Sequence, residues 1–341
     1  MASVQASSLI VGLDVSKASV DACIITPKGR HDKHAANTPK GLQELYTWIM
    51  KRGQGEVPLV VMEATGTYHS LAATLLHAFG CRIHVANPLR ARKFCDSQGL
   101  LSKTDRADAF GLARFGESRD LRDWHPVSDA MLELRALMIR LTALTEHMQR
   151  ETLRLQEHPR VVGWLSVARS MQRSLAWHQA EKKSLQAEID AFFADNAELK
   201  ADRALLLTIP GVGKQAADHL LCLIRDRGVT SGRAAAALCG VIPVHRESGT
   251  SVRSRPRMSR QGDARVRAGL YLPTLSAVTH DPVTKARYEA LQAKGLAKAQ
   301  AIIAIMHRTV RVAYGVLKTR RPYDPQYDTA SASLPDGRML A

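Results

Sequence analysis

Four acids stand where a carboxylate is costly unless it has work to do. Asp14 interrupts the apolar run Leu9-Ile10-Val11-Gly12-Leu13-Asp14-Val15, where an unpartnered charge is expensive to bury and needs a partner or a metal. Glu63 closes a second apolar run, Pro58-Leu59-Val60-Val61-Met62-Glu63, just before the Ala64-Thr65-Gly66 turn. Asp105 and Asp108 lie three apart in Lys103-Thr104-Asp105-Arg106-Ala107-Asp108-Ala109, a spacing that puts both on one face of a helix. Carboxylates with few competing nitrogen or sulfur donors suit Mg²⁺. Two such ions about 3.5–4 Å apart stabilise the attacking and leaving oxygens of phosphoryl transfer. Each acid alone has a plainer explanation: Asp105 favours a helix start capped by Thr104, and Glu63 can pair with a nearby arginine.

The elements that must bring these acids together are legible in outline. Residues 9–15 and 20–25 read as two strands around a turn at Ser16-Lys17-Ala18, residues 58–63 as a strand, 68–79 as a helix and 81–86 as another strand. This alternation predicts an α/β domain on a mixed sheet over residues 8–125. Two strand-borne acids followed by a helix-borne pair is the layout of a ribonuclease-H-like nuclease site. From Ser128 the pattern changes to Leu134, Leu137, Leu141, Leu144, Met148 and Leu155, a helical seam. Pro159 and Gly163 interrupt it before a second amphipathic stretch from Trp164 to Phe193. Residues 126–200 therefore read as a helical, coiled-coil connector. It could pack on its own domain or serve as a dimerisation arm, because a seam with its mate in the same chain looks like one with its mate in another.

Residues 201–322 read as a mainly α domain, and 323–341 as a loose polar tail. Within the domain, Ile209-Pro210-Gly211-Val212-Gly213-Lys214 joins two apolar helices and resembles a helix-hairpin-helix. Gly211 and Gly213 there let backbone N–H groups approach a phosphate, and Lys214 adds charge. A plain αα-turn has the same pattern. The segment His245–Arg267 carries Arg246, Arg253, Arg255, Arg257, Arg260, Arg265 and Arg267 against only Glu247 and Asp263. Arginine favours bidentate grips on phosphate. A serine among these arginines could attack a phosphodiester while guanidinium groups stabilise the developing charge. Ser248, Ser251 and Ser254 all qualify on chemistry alone, as does a loop that grips phosphates without reacting.

Net charge is +16 at pH 7 and the isoelectric point is near 9.9, a surplus that suits a polyanion whose phosphates release counterions. Residues 201–341 hold 22 Lys and Arg against 10 Asp and Glu, so the basic surface belongs mainly to the last part. Five scattered cysteines, in no paired metal-ligand spacing, support neither a disulfide framework nor a zinc site. The most apolar late segment, Ala301–Leu317, is interrupted by His307, Arg308 and Arg311. The expectation is a cytoplasmic protein with neither export signal nor membrane span.

Five ordered stretches resemble one family, the transposases of the bacterial insertion-sequence family one-hundred-and-ten, which are bridge-RNA-guided recombinases. They are Gly12–Lys17, Glu63–Tyr68, Lys103–Ala109, Ile209–Gly213 and Glu247–Arg253, within a similarity running from about residue 9 to residue 325. The resemblance implies a RuvC-like domain in which Asp14, Glu63, Asp105 and Asp108 bind Mg²⁺. It also implies a coiled coil and a C-terminal transposase domain whose nucleophilic serine matches Ser248. It further implies a covalent phosphoserine link to DNA, a noncoding RNA that pairs with donor and target DNA, an active site composed from two subunits of a tetramer, and action at the bacterial nucleoid. The rival readings are a Holliday-junction-resolving nuclease that activates water with the same metals, and a non-catalytic nucleic-acid scaffold.

Overall fold

The computed structural model describes residues 9–26, 29–53, 55–64, 66–100, 104–117, 121–157, 163–225, 228–248 and 252–325, less the side chains of 245–248 and 252–256. The chain divides after Pro126 into two compact units.

In the first unit, β1 (Ile10–Val15), β2 (Ser19–Thr26), β3 (Gly29–Ala36), β4 (Leu59–Glu63) and β5 (Arg82–Ala86) form one sheet in the order β3-β2-β1-β4-β5. β2 pairs antiparallel with β1 and β3, while β4 pairs parallel with β1 and β5. This is the ribonuclease-H-like arrangement expected from the layout of the acids. The helices are α1 (Pro39–Arg52), α2 (His69–Ala78), α3 (Pro88–Ser97) and α4 (Asp105–Glu117).

Strand alternation divides the apolar residues between two cores. Val11, Leu13, Val60, Met62 and Ile83 pack with Leu42, Leu45 and Ile49 of α1 and Ala72 and Leu76 of α2. Leu59, Val61 and Ala86 pack on the other face with Ala91 of α3 and Leu112 and Phe115 of α4. Two of these elements carry weak or unread signals. The β3 sequence, Gly-Arg-His-Asp-Lys-His-Ala-Ala, has no apolar period because it is an edge strand whose side chains are mostly exposed. The α1 helix starts at Thr38, whose side chain accepts from the Gly41 N–H, followed by Pro39, which together make a well-formed N-terminus.

The second unit begins with two long helices, α5 (Asp129–Glu157) and α6 (Trp164–Asp195). They pack against each other, with Arg140 3.9 Å from Glu181 and the His147 and His178 rings 5.6 Å apart. The remaining elements are α7 (Ala197–Leu207), α8 (Lys214–Arg225), α9 (Gly232–Cys239), β6 (Pro243–Ser248), β7 (Val252–Met258), α10 (Ala264–His280), α11 (Pro282–Ala293) and α12 (Lys298–Thr319). One core joins Leu134, Leu141 and Leu144 of α5 and Ile189 and Phe193 of α6 to Leu206, Leu220, Cys239, Leu270, Ile302 and Val310.

Buried ion pairs reinforce that core. Asp202 is fully buried and is bound by Arg225, whose Nε donates at 2.8 Å, and by Arg320 from the end of α12. Arg203 lies 4.2 Å over the Phe193 ring and donates to Asp218 Oδ2 at 2.9 Å and to Asp190 Oδ1 at 2.7 Å. Its Nε also approaches Asp218 Oδ1 at 2.8 Å, an ion pair without hydrogen-bond alignment.

The arginine-rich segment departs from the mainly helical expectation, because β6 and β7 form a two-stranded antiparallel ribbon. Its signal was the period-two sequence Val252-Arg253-Ser254-Arg255-Pro256-Arg257-Met258, which puts arginine at every second position of a strand.

Candidate active site

Gly12 sets the position of the helix-borne acids. A Cβ at Gly12 would stand 1.9 Å from the Ala109 carbonyl oxygen and 2.4 Å from the Ala113 nitrogen, so α4 lies directly on β1. Further along the helix, a Cβ at Gly116 would come within 2.6 Å of the Ile10 side chain. From Ile10 to Gly12 is about 6.6 Å of strand, and from Gly116 to the Ala109–Ala113 turn is about 7–8 Å of helix. Helix and strand thus run antiparallel in step, and the next stride of each brings the Asp105–Asp108 turn over Asp14. Thr104 caps this helix, its hydroxyl accepting from the Ala107 N–H at 3.2 Å. The capping explanation therefore holds alongside the convergence and does not replace it.

The sheet supplies the lateral neighbours. Asp14 shares its face with Gly12, and Glu63 shares the same face with Val61. The parallel register Leu13↔Met62 puts Glu63 beside Asp14 on the adjoining strand. On its other side Asp14 pairs directly with Asp21 of β2. The half-buried Asp14 carboxyl is pushed up to about 6, first by burial and then by Asp108, Asp105, Glu63 and Asp21. Four acids at the centre thus press on one group, as they must where a cation is needed to compensate them. Among the described residues, no three His, Cys, Asp or Glu side chains stand as a group that could hold a metal ion. The acids are electrostatic neighbours of Asp14, and joint coordination of an ion by them would require their side chains to rotate.

Asp21 and its partner His34 were not singled out in the sequence. The His34 Nδ1 lies 3.1 Å from both Asp21 carboxylate oxygens. An acid in the otherwise apolar stretch Val20-Asp21-Ala22 carries the same signal that drew attention to Asp14.

In the second unit, the Thr208–Gly213 segment links α7 to α8. Gly211 has φ 77° and packs so closely on α10 that a Cβ would stand 2.3 Å from the Pro273 carbonyl oxygen. Its glycine is accounted for by this conformation and contact. Gly213 has open space around it, and its carbonyl accepts from Ala217 N–H at 2.9 Å in the first turn of α8. The Lys214 ammonium, largely exposed, binds Asp190 at 2.8 Å.

On the ribbon, Arg246 pairs with Ser254, Glu247 with Arg253 and Ser248 with Val252. Ser248 is therefore the last residue of β6, and Ser254 lies within β7 opposite Arg246. Gly249, Thr250 and Ser251 lie outside the described residues, as do the side chains of Arg246, Ser248, Arg253, Ser254 and Arg255. Arg257 is exposed and paired with Val244. Arg260 is exposed with φ 55°, and its N–H donates to the Gly240 carbonyl at 3.2 Å.

A ribonuclease-H-like sheet with an acid cluster, joined to a helical unit carrying an arginine ribbon, defines the class of protein as one that acts on nucleic-acid phosphates. Comparison with known proteins narrows it. A family model described as a transposase, DEDD_Tnp_IS110, matches residues 11–160, and the model of the IS116/IS110/IS902 transposase family matches residues 203–289. The pilin gene-inverting proteins of Moraxella bovis and Moraxella lacunata are each 28% identical over 321 residues, covering 93% of this chain and 98% of theirs. An uncharacterised 43.6 kDa protein of insertion element IS110 from Streptomyces coelicolor is 22% identical over 93% of this chain and 95% of its own. RuvC of T. thermophilus, solved with a Holliday junction substrate, matches 34% of this chain at 10% identity with a TM-score of 0.25; so low a score carries no weight. The chain belongs to the IS110 family of transposases. Its activity is in the class of DNA recombination, and no helix among the described residues is long and apolar enough to cross a membrane.

Proposed function

We propose that this transposase cuts and rejoins DNA through Ser248, assisted by Mg²⁺ held by Asp14, Glu63, Asp105 and Asp108, with a noncoding bridge RNA selecting donor and target. The observation that carries the reading is the packing of α4 on Gly12, which sets the helix acids close enough to Asp14 to help raise its carboxyl to about 6. Bound there, Mg²⁺ would compensate the acids and stabilise negative charge on the transferring phosphate. The residues of the chain do the rest. Asp14 stands at the middle of the set, flanked by Glu63 in the sheet and overlain by Asp105 and Asp108.

Ser248 Oγ forms a bond to phosphorus as the bond from phosphorus to the departing sugar oxygen breaks, and the serine proton ends on that oxygen as a hydroxyl. Arg246, Arg253, Arg255, Arg257 and Arg260 supply donors to the non-bridging oxygens. Attack by the hydroxyl of the exchanged strand then rejoins DNA and restores the serine. What favours Ser248 over Ser254 is the family motif Glu247–Arg253, in which it is the matching serine. Gly213 and Lys214 add a backbone grip at the start of α8. The basic second half suits both DNA and a guide RNA. Leu153, Leu165, Val167 and Trp177, exposed on the outer part of α5 and α6, give a second copy an apolar surface, consistent with a dimer and with a tetramer built from it.

The test is to incubate the protein with its RNA, Mg²⁺ and labelled donor and target DNA and to look for a protein–DNA adduct on a denaturing gel. The adduct is expected to vanish in Ser248→Ala and to fall sharply in Asp14→Asn. Cleavage that survives Ser248→Ala without an adduct overturns the serine assignment in favour of a resolvase. DNA binding with no cleavage under any condition would favour a scaffold.

A further inference from the structure

A row of polar side chains leaves the acid centre and crosses the sheet towards its open edge. Asp14 pairs with Asp21 on β2, and Asp21 pairs with His34 on β3. All three occupy the face that carries α4. Two acids directly opposite each other on antiparallel strands are destabilising, so Asp21 is not placed there for the sake of the fold. Nor does His34 make it so, because an ion pair with one partner 61% exposed contributes little to stability.

The geometry of the pair is that of an oriented imidazole. The Asp21 side chain is only 13% exposed, and an ionised carboxylate only accepts hydrogen bonds, so the His34 Nδ1–H donates to it. The Nε2 end of the ring then points away from Asp21. Asp–His pairs of this kind fix the tautomer and direction of an imidazole. The contact of α4 with β3 runs through Arg30, which donates to the Arg106 carbonyl at 2.9 Å and lies 4.9 Å from the Phe110 ring. Asp32, His34 and Ala36 are exposed. His34 stands two strand spacings from Asp14, about 10 Å, so a nucleic-acid strand with one phosphate at the acids lays a neighbouring phosphate near the imidazole.

We propose that Asp21 and His34 are an accessory pair of this centre, in which Asp21 is the positioning residue and His34 donates a hydrogen bond to a DNA phosphate next to the one that is cut. For both contacts to form, both ring nitrogens must donate, as an imidazole can only in its doubly protonated form. The proposal rests on the reading of Asp14, Glu63, Asp105 and Asp108 as the catalytic centre.

The experiment uses the full chain with its RNA, Mg²⁺ and DNA substrates, and follows single-turnover adduct formation. Duplexes carrying one methylphosphonate at a time around the cut site remove single phosphate charges. His34→Ala is expected to slow the reaction about tenfold or more, the worth of one charge-assisted hydrogen bond. One methylphosphonate flanking the cut phosphate is expected to slow the wild-type protein equally and His34→Ala no further, and His34→Arg to recover part of the rate. Stabilisation of the protein by Mg²⁺ alone, read by thermal melting, is expected to stay at the wild-type value in His34→Ala. The proposal is overturned by a wild-type rate in His34→Ala, by independent losses at every methylphosphonate position, or by loss of the Mg²⁺ effect. Asp14→Asn separates the two readings. If it reacts normally, the catalytic centre itself is wrong; if it is inactive while His34→Ala is normal, only the accessory pair fails.

Discussion

Replacing Asp14 by asparagine is expected to stabilise the metal-free protein while it removes activity. The Asp14 carboxyl is raised from 3.8 to about 6 by burial and by its acidic neighbours. At 1.36 kcal/mol per pH unit this amounts to ~3 kcal/mol against the ionised form, reduced by water at a half-buried site to roughly 1–2 kcal/mol. The sign follows from linkage. A carboxyl whose folded-state value is raised binds protons more tightly when folded, so the fold is favoured below 3.8 and loses that advantage as pH rises towards 6. Asparagine carries no charge at any of these pH values. In EDTA at pH 7.5, Asp14→Asn should therefore raise the urea midpoint of the first unit by the equivalent of roughly 1–2 kcal/mol, and the gain should shrink to nothing near pH 4. Added Mg²⁺ should stabilise the wild type and leave the variant unmoved. A variant equally or less stable than wild type at pH 7.5, or a gain that persists at pH 4, would refute the account of four acids pressing on one.

Gly12→Ala puts a Cβ 1.9 Å from the Ala109 carbonyl oxygen and should cost about 1–3 kcal/mol or more through overpacking, with loss of Mg²⁺-dependent stabilisation measured by thermal melting as α4 lifts off β1. Arg203→Met leaves Asp218, 2% exposed and already pushed up to about 6 by burial, without its main cation. It should lower the stability of the second unit by about 3–5 kcal/mol, and adding Asp218→Asn should return part of it. Lys214→Ala removes an exposed pair to Asp190 worth under about 1 kcal/mol. Its stability should stay near wild type while the salt dependence of DNA binding falls by about one phosphate contact.

The first unit was legible where burial leaves a period in the sequence. β1, β4 and β5 have apolar residues to bury on one or both faces, and an acid at the end of such a run is conspicuous. β3 faces solvent, so its residues follow no period, and the exposed His34 gave no reason to be noticed. Asp21 was readable as an acid inside an apolar strand, but the register that puts it opposite Asp14 belongs to the hairpin and not to any local pattern. The depth of the Gly12 contact was equally invisible, since a glycine beneath a helix reads like a glycine in a flexible strand. In the second unit, the arginines of β7 masked a strand by suggesting a solvated loop. That the glycine of the Pro210-Gly211 segment also makes room for α10 was not readable from any local pattern.

The pairing of Asp202 with Arg320 spans 118 residues and gives the second unit a clock. A ribosome adding roughly 5–20 residues per second delivers the second cation about 6–24 s after the buried acid it serves. Until then, of the two arginines that bind Asp202, only Arg225 has been made. The ribbon with Ser248 leaves the ribosome inside that interval, so the arginines and the serine are made before the scaffold that holds them is electrostatically complete. A chain ending before residue 320 would carry the arginine ribbon but lack the second cation of Asp202. Completion of the charge balance around the buried acid of α7 is thus tied to the far end of α12, the most distant element of the same core.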